Sequence, residues 1–302
     1  MSATRIDRDW RAAHPLPSPD PGTDKNSRGR VLLVGGAEFV PGALRLTGEA
    51  ALRAGAGKLQ MATVDSAALA LGVLVPEAAM IALPLDEAGE IAPSAAERLE
   101  EAVARCDTLI LGPGMSENGG TAPLMERLLK VPRPELTVLL DAAAITCADA
   151  LADGIARHDG RVVMTPHHGE MAALTGAPIE DIAAAPDAFA REVSARFGVV
   201  LVLKAGRTVI AAPDGAMLEF ESDCVGLATG GSGDVLAGVI GGLLARGVAP
   251  LAAAGWGVWL HGEAGRLCAE RIGPIGFLAR DLSAWVPGLM AGAGSDGRAV
   301  SG

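Results

Sequence analysis

Short apolar runs alternate with longer alanine- and leucine-rich stretches along most of this chain. Arg30–Val34 has the pattern of a strand buried on both faces, closes on Gly35-Gly36, and is followed by a helical stretch over 41–54. Further strands are expected at Lys58–Val64, Thr108–Leu111, Thr137–Leu140 and 161–164. The last three end in Gly112-Pro113-Gly114, in Asp141, and in Thr165-Pro166-His167. Residues 199–204 and 208–212 look like a hairpin pair around the turn at Lys204–Arg207. The long apolar stretch from Val235 toward Leu260 is interrupted by Arg246 and Pro250, so it reads as two buried helices rather than a membrane span. Residues 1–28, with Pro15, Pro17, Pro19 and Pro21, read as an extended leader, and 29–302 as a single domain.

Strands that alternate with helices predict an α/β fold: a mostly parallel central sheet with helices on both faces. Ligands of such sheets bind beyond the carboxyl ends of the strands. The Gly, Pro, Asp and His clusters should therefore converge on one rim.

Composition narrows the partners. The 302 residues are half apolar, enough for a large core, and 40 glycines against 5 Phe, 4 Trp and no Tyr suggest close backbone packing. A net charge of -11 argues against nucleic acid or an anionic membrane as partner. A small anion can still be held locally by backbone N–H groups and one or two cations. Cys106, Cys147, Cys224 and Cys268 form no CxxC or zinc spacing, and no secretory signal opens the chain. Free thiols in a cytoplasmic, reducing compartment are expected.

The strongest local signal is Thr229-Gly230-Gly231-Ser232-Gly233-Asp234, ahead of an apolar helix. Thr229 and Ser232 are candidate caps, and the glycines let backbone N–H groups point into one concavity. A helix start carries partial positive charge and suits a phosphate; Asp234, in the first turn, could take a proton from an attacking hydroxyl. A plain helix cap with Asp favouring the dipole is the competing reading. Lys204 and Arg207 are candidate phosphate contacts, with Thr208 and the local backbone holding a ribose or base edge, although a solvated hairpin tip also fits. His167, His168 and Glu170 invite a metal reading, but adjacent histidines point apart and no HExxH spacing is present. A helix start with Glu170 in its first turn, leaving one imidazole for a ligand, fits better. Gly114 permits close backbone approach, and the small Ala43 after Pro41 leaves room for a flat ligand; mere packing fits both equally. Gly55-Ala56-Gly57-Lys58 is followed by Leu59, where a phosphate loop needs Ser or Thr, and Gly35-Gly36 lacks the dinucleotide-fingerprint spacing.

Seven segments in order resemble one family, spanning about residues 28 to 288: RGRVLLVGGAEFVPGALRLTGEAALRAGAGK, PEAAM, LGPGM, TPHHGEMAAL, VLVLKAGRTVI, ATGGSGDVLAGVIGGLLARG and HGEAG. The family is the ADP- or ATP-dependent NAD(P)H-hydrate dehydratases, of ribokinase-like fold. The resemblance implies dehydration of the S-form of hydrated NADH or NADPH at the expense of ADP or ATP. It makes Asp234 the catalytic base. It places Ala43, Gly114, His167 and Asp234 on the hydrated dinucleotide, and Lys204, Ala205, Gly206, Arg207, Thr208 and Gly233 on the adenine nucleotide. Mg2+ would bridge nucleotide phosphates, with no all-protein metal site. A homotetramer is implied, and a separate epimerase as co-worker, since the epimerase domain often fused ahead of this one is not seen before Gly29. Ala143 and Thr146 stand where the family has Asp and Asn, His168 where it has Pro, and Asp223-Cys224-Val225-Gly226 where Gly-Asn-Pro-Gly is usual. A vitamin-precursor kinase of the same fold, or a catalytically silent nucleotide-binding protein, are the alternatives.

Overall fold

The computed structural model describes residues 3–18, 22–117 and 120–292. One sheet runs through them, in the order β1-β10-β9-β8-β7-β6-β5-β2-β3-β4. Its strands are β1 Thr4–Arg5, β2 Arg30–Val34, β3 Lys58–Val64, β4 Ala78–Leu83, β5 Thr108–Leu111, β6 Thr137–Leu140, β7 Val162–Met164, β8 Val200–Leu203, β9 Arg207–Ala211 and β10 Met217–Glu221. From β8 across to β4 every pair is parallel, whereas β9 runs antiparallel to both of its neighbours. The central strands are buried at nearly every position because helices cover both faces.

The expected strands fall where the apolar runs placed them, within a residue or so; β1, β4 and β10 were not anticipated. The leader needs correction. Residues 1–2 and 19–21 of it lie outside the described residues, as do 118–119 and 293–302. The remainder is not extended throughout. β1 pairs in parallel with β10, and Asp7 caps a short helix, Arg8–Ala13, by accepting from the Trp10 amide. Ile6 and Trp10, four residues apart, are both buried, and the Trp10 ring fills space that a Cβ at Gly255 would invade at 2.5 Å. The Trp256 indole N–H donates to the His14 carbonyl at 2.6 Å. Two buried hydrophobic residues outweigh the proline content that suggested a loose segment.

Two helices with small side chains bring the rim together. Helix Ser232–Ala245 packs along helix Gly42–Arg53 so closely that a Cβ at Gly238 would lie 2.2 Å from the Thr47 carbonyl, and one at Gly242 2.4 Å from that of Ala51. Glycine in a helix costs about 1 kcal/mol against alanine; here it permits backbone-to-backbone packing that no other residue allows. Successive contacts climb both helices together, so both amino ends open on the same edge of the sheet.

Candidate active site

That edge is the carboxyl end of the parallel strands. β5 runs into Gly112, whose φ of 112° is open only to glycine and where a Cβ would meet the Asp141 carbonyl at 2.0 Å. β6 ends at Asp141, followed by Ala142 at φ 50°, ψ -120°, the first central residue of a tight turn closed by the Ala144 amide on the Asp141 carbonyl (3.1 Å). This conformation favours glycine, and alanine holds it under strain. β7 leads to Thr165, β8 to Lys204, and the Lys204 amide donates to the Pro166 carbonyl at 2.8 Å, tying the two ends together.

Asp141 is buried. It accepts from the Thr165 hydroxyl at 2.7 Å and from Lys204 Nζ at 3.1 Å. Glu170 lies 3.7 Å from the same ammonium. Burial lowers the Lys204 pKa, but Asp141 and then Glu170 outweigh it, so the group ends above its ordinary value and stays charged. A Cβ at Gly233 would sit 3.3 Å from Lys204 Nζ, so the cation stands at the opening turn of helix Ser232–Ala245. Asp234 is the third residue of that helix. Burial first, then the charges of Asp141 and Glu170, push its carboxyl up to about 7, with Lys204 pulling the other way. A carboxylate poised near neutrality is suited to taking up and returning a proton.

His167 caps helix His168–Thr175. Its Nδ1 accepts from the Glu170 amide at 3.1 Å, while Glu170 accepts from the His167 amide at 2.8 Å. Nδ1 is thus an acceptor, which leaves Nε2 to carry a hydrogen that can be offered to a ligand.

A cavity of about 690 Å³ opens beside this cluster. Its lining combines His167, Lys204, Ser232 and Gly233 with the apolar Phe220, Val225, Leu227, Leu236 and Val258. Ala205, Gly206 and Thr208 also line it, with the Thr208 hydroxyl donating back to the Ala205 carbonyl at 3.0 Å. Arg207, expected to reach a phosphate, lines no part of it. Its guanidinium is held by Glu219 at 2.6 Å and Asp187 at 3.1 Å, because alternation along β9 turns it away. Neither Thr229 nor Ser232 caps the helix: Gly231, at φ 87°, occupies that position with no side-chain cap, and Ser232 bonds to His261 instead.

Ala43 and Gly114 do not line this cavity. They touch each other, a Cβ at Gly114 falling 2.9 Å from that of Ala43. A Cβ at Gly231 would lie 2.4 Å from Leu46, one turn further along the same helix as Ala43, and 3.8 Å from Asp234 Oδ2. Asp234 therefore faces the Ala43 side while Gly233 and Ser232 face the cavity. Sequence reading missed Phe220, which lies on the unanticipated β10, and gave no role to His261, although it opens the HGEAG segment on helix Pro250–Arg271.

Among the described residues no group of three or more His, Cys, Asp and Glu side chains is arranged to hold a metal. Asp141 and Glu170 are committed to Lys204. No helix of the described residues is long and apolar enough to cross a membrane.

A family model described as NAD(P)H-hydrate dehydratase matches residues 31–287. An ADP-dependent (S)-NAD(P)H-hydrate dehydratase of Xanthomonas campestris is 44% identical over 278 residues, covering 92% of this chain and 93% of that one. A bifunctional NAD(P)H-hydrate repair enzyme of Moorella thermoacetica is 37% identical over 90% of this chain, which spans 51% of the larger protein. The crystal structure of an ADP/ATP-dependent NAD(P)H-hydrate dehydratase from Bacillus subtilis, co-crystallised with ATP and Mg2+, superposes with a TM-score of 0.80 at 26% identity, covering 98% of this chain and all of that one.

Proposed function

The chain belongs to the NAD(P)H-hydrate dehydratase family, and from that premise we propose how its rim performs the reaction. The protein is an ADP-dependent hydro-lyase that restores the S-form of hydrated NADH or NADPH to the reduced dinucleotide. Its fold is ribokinase-like, and the small-molecule kinase and silent-protein alternatives give way to this reading.

The observation that carries the mechanism is Asp234, half-buried near the Lys204 charge and held near neutrality in the first turn of helix Ser232–Ala245. The nucleotide occupies the cavity, whose volume suits a ligand of this class. Its base rests on Phe220, Leu227, Leu236 and Val258, and its phosphates meet Lys204 and the amides of the helix start. The hydrated nicotinamide ring lies on the other side of Asp234, over Ala43 and Gly114, with His167 Nε2 donating to it. Asp234 takes the proton from the ring hydroxyl as its oxygen attacks the terminal phosphorus, and the amides of residues 230–233 stabilise the transferring group. AMP departs. The phosphorylated oxygen then leaves as phosphate, pushed by the ring nitrogen lone pair, and loss of the neighbouring C5 proton completes the double bond. Mg2+ fits as a partner of the nucleotide's phosphate oxygens, since Asp141 and Glu170 already balance Lys204; it would supply charge neutralisation there.

The reading extends to a homotetramer in a reducing, cytoplasmic setting, with a separate epimerase supplying the S-form. Exposed Leu69, Val73 and Leu74 beside the open edge strand β4, and four free cysteines, support it. The deciding experiment mixes hydrated NADH, ADP and the protein and follows return of the reduced-nicotinamide absorbance. No return with ADP or ATP would overturn the assignment.

A further inference from the structure

The side chains of Ser232 and His261 have no part in the reaction above, yet they meet at its most sensitive point. His261 lies on helix Pro250–Arg271, lines the cavity, and reaches across to the first residue of helix Ser232–Ala245. Its Nε2 stands 3.0 Å from the Ser232 carbonyl oxygen and 2.9 Å from the Ser232 hydroxyl. A carbonyl can only accept, so Nε2 carries a hydrogen, and in the neutral ring the lone pair is then on Nδ1. Burial, against the pull of the Ser232 contact and with the Lys204 charge adding to it, pushes this imidazole down to about 4, which agrees with the neutral form.

The consequence falls on the serine. Its oxygen accepts from His261, so its own hydrogen must point elsewhere, and among the described residues no acceptor meets it. Ser232 borders the cavity next to Gly233, at the position facing Lys204 Nζ. Its hydrogen is therefore free for whatever anion the ammonium and the helix start attract.

We propose that Ser232 is a nucleotide-binding residue whose hydroxyl donates to a phosphate oxygen, and that His261 is the positioning residue that turns it there. The assignment rests on the nucleotide reading of the cavity. It also explains why a serine that caps nothing stands at the head of a buried helix, where alanine would have the better helix propensity.

Calorimetric titration with ADP and with adenosine, which has the same base and ribose but no phosphate, tests it. Ser232→Ala should weaken ADP by about tenfold or more, the worth of a hydrogen bond to a charged group, and leave adenosine within about twofold. His261→Phe should weaken ADP similarly, and His261→Gln, whose amide N–H can reach the same carbonyl, should recover most of the loss. Should His261→Phe fail to fold, Ser232→Ala decides alone. Unchanged ADP affinity in Ser232→Ala, or equal loss for adenosine, would overturn this assignment while leaving the nucleotide site standing. Failure of the unaltered protein to bind ADP would overturn both.

Discussion

Replacing Asp234 with Asn should stabilise the protein while disabling it, and the gain should depend on pH. The carboxyl moves from 3.8 to about 7 on folding. Because the folded-state value is the raised one, the folded protein binds this proton more tightly than the unfolded chain. Stability from Asp234 is therefore present at low pH and is lost as pH rises from about 4 to about 7. At about 1.4 kcal/mol per pH unit, ionising Asp234 in place costs about 4 kcal/mol above neutrality. Asparagine has the same shape and no charge, so it escapes that cost. The variant should gain only about 1 kcal/mol near pH 4.5 and about 4 kcal/mol near pH 8. For a chain of this length each kcal/mol moves the midpoint by about 2 °C, giving about 8 °C at the higher pH. Thermal melts of both proteins across that range provide the assay, with turnover measured in parallel. Turnover should fall at least about 100-fold, the usual worth of a positioned general base. A difference in melting temperature that is the same at both pH values would refute the burial and charge account of Asp234. Undiminished turnover would remove it as the base.

Three further substitutions address other parts of the argument. Ala142→Gly should raise stability by about 1 kcal/mol in urea titration, because φ 50° strains alanine and not glycine; a loss would mean the turn is not strained. Arg207→Ala should leave ADP affinity within about twofold by calorimetry, since Glu219 and Asp187 hold its guanidinium outside the cavity; a tenfold loss would return it to the phosphates. Trp10→Ala should cost about 3–5 kcal/mol in denaturant unfolding, as for other large buried aromatics, whereas an extended leader would show no change.

The strands of the central sheet were legible because each is a short apolar run buried on both faces and bounded by turn residues. β4 and β10 were not, for a physical reason: each has exposed or half-buried positions, and Met217–Glu221 alternates too briefly to stand out. Helix Ser232–Ala245 was read correctly from Val235 onward. Its cap was not, because Gly231 takes a left-handed conformation that leaves Ser232 inside the helix and free to face His261. Trp10 was hidden for another reason, since its ring packs on Gly255, in a helix far away in the chain.

By itself the sequence determined the α/β class, the catalytic candidate Asp234 and the rim on which it would stand. Those follow from local properties: apolar runs, turn residues, and a glycine-rich helix start. Only the tertiary structure decided the division of labour around that residue. Asp141, Glu170, Lys204 and Asp234 lie on four different segments, and their mutual distances, not their identities, raise one carboxyl and keep one lysine charged. The same packing turned Arg207 out of the cavity and brought His261 to Ser232, because which way a side chain faces is set by the strand or helix that carries it and by what that element packs against.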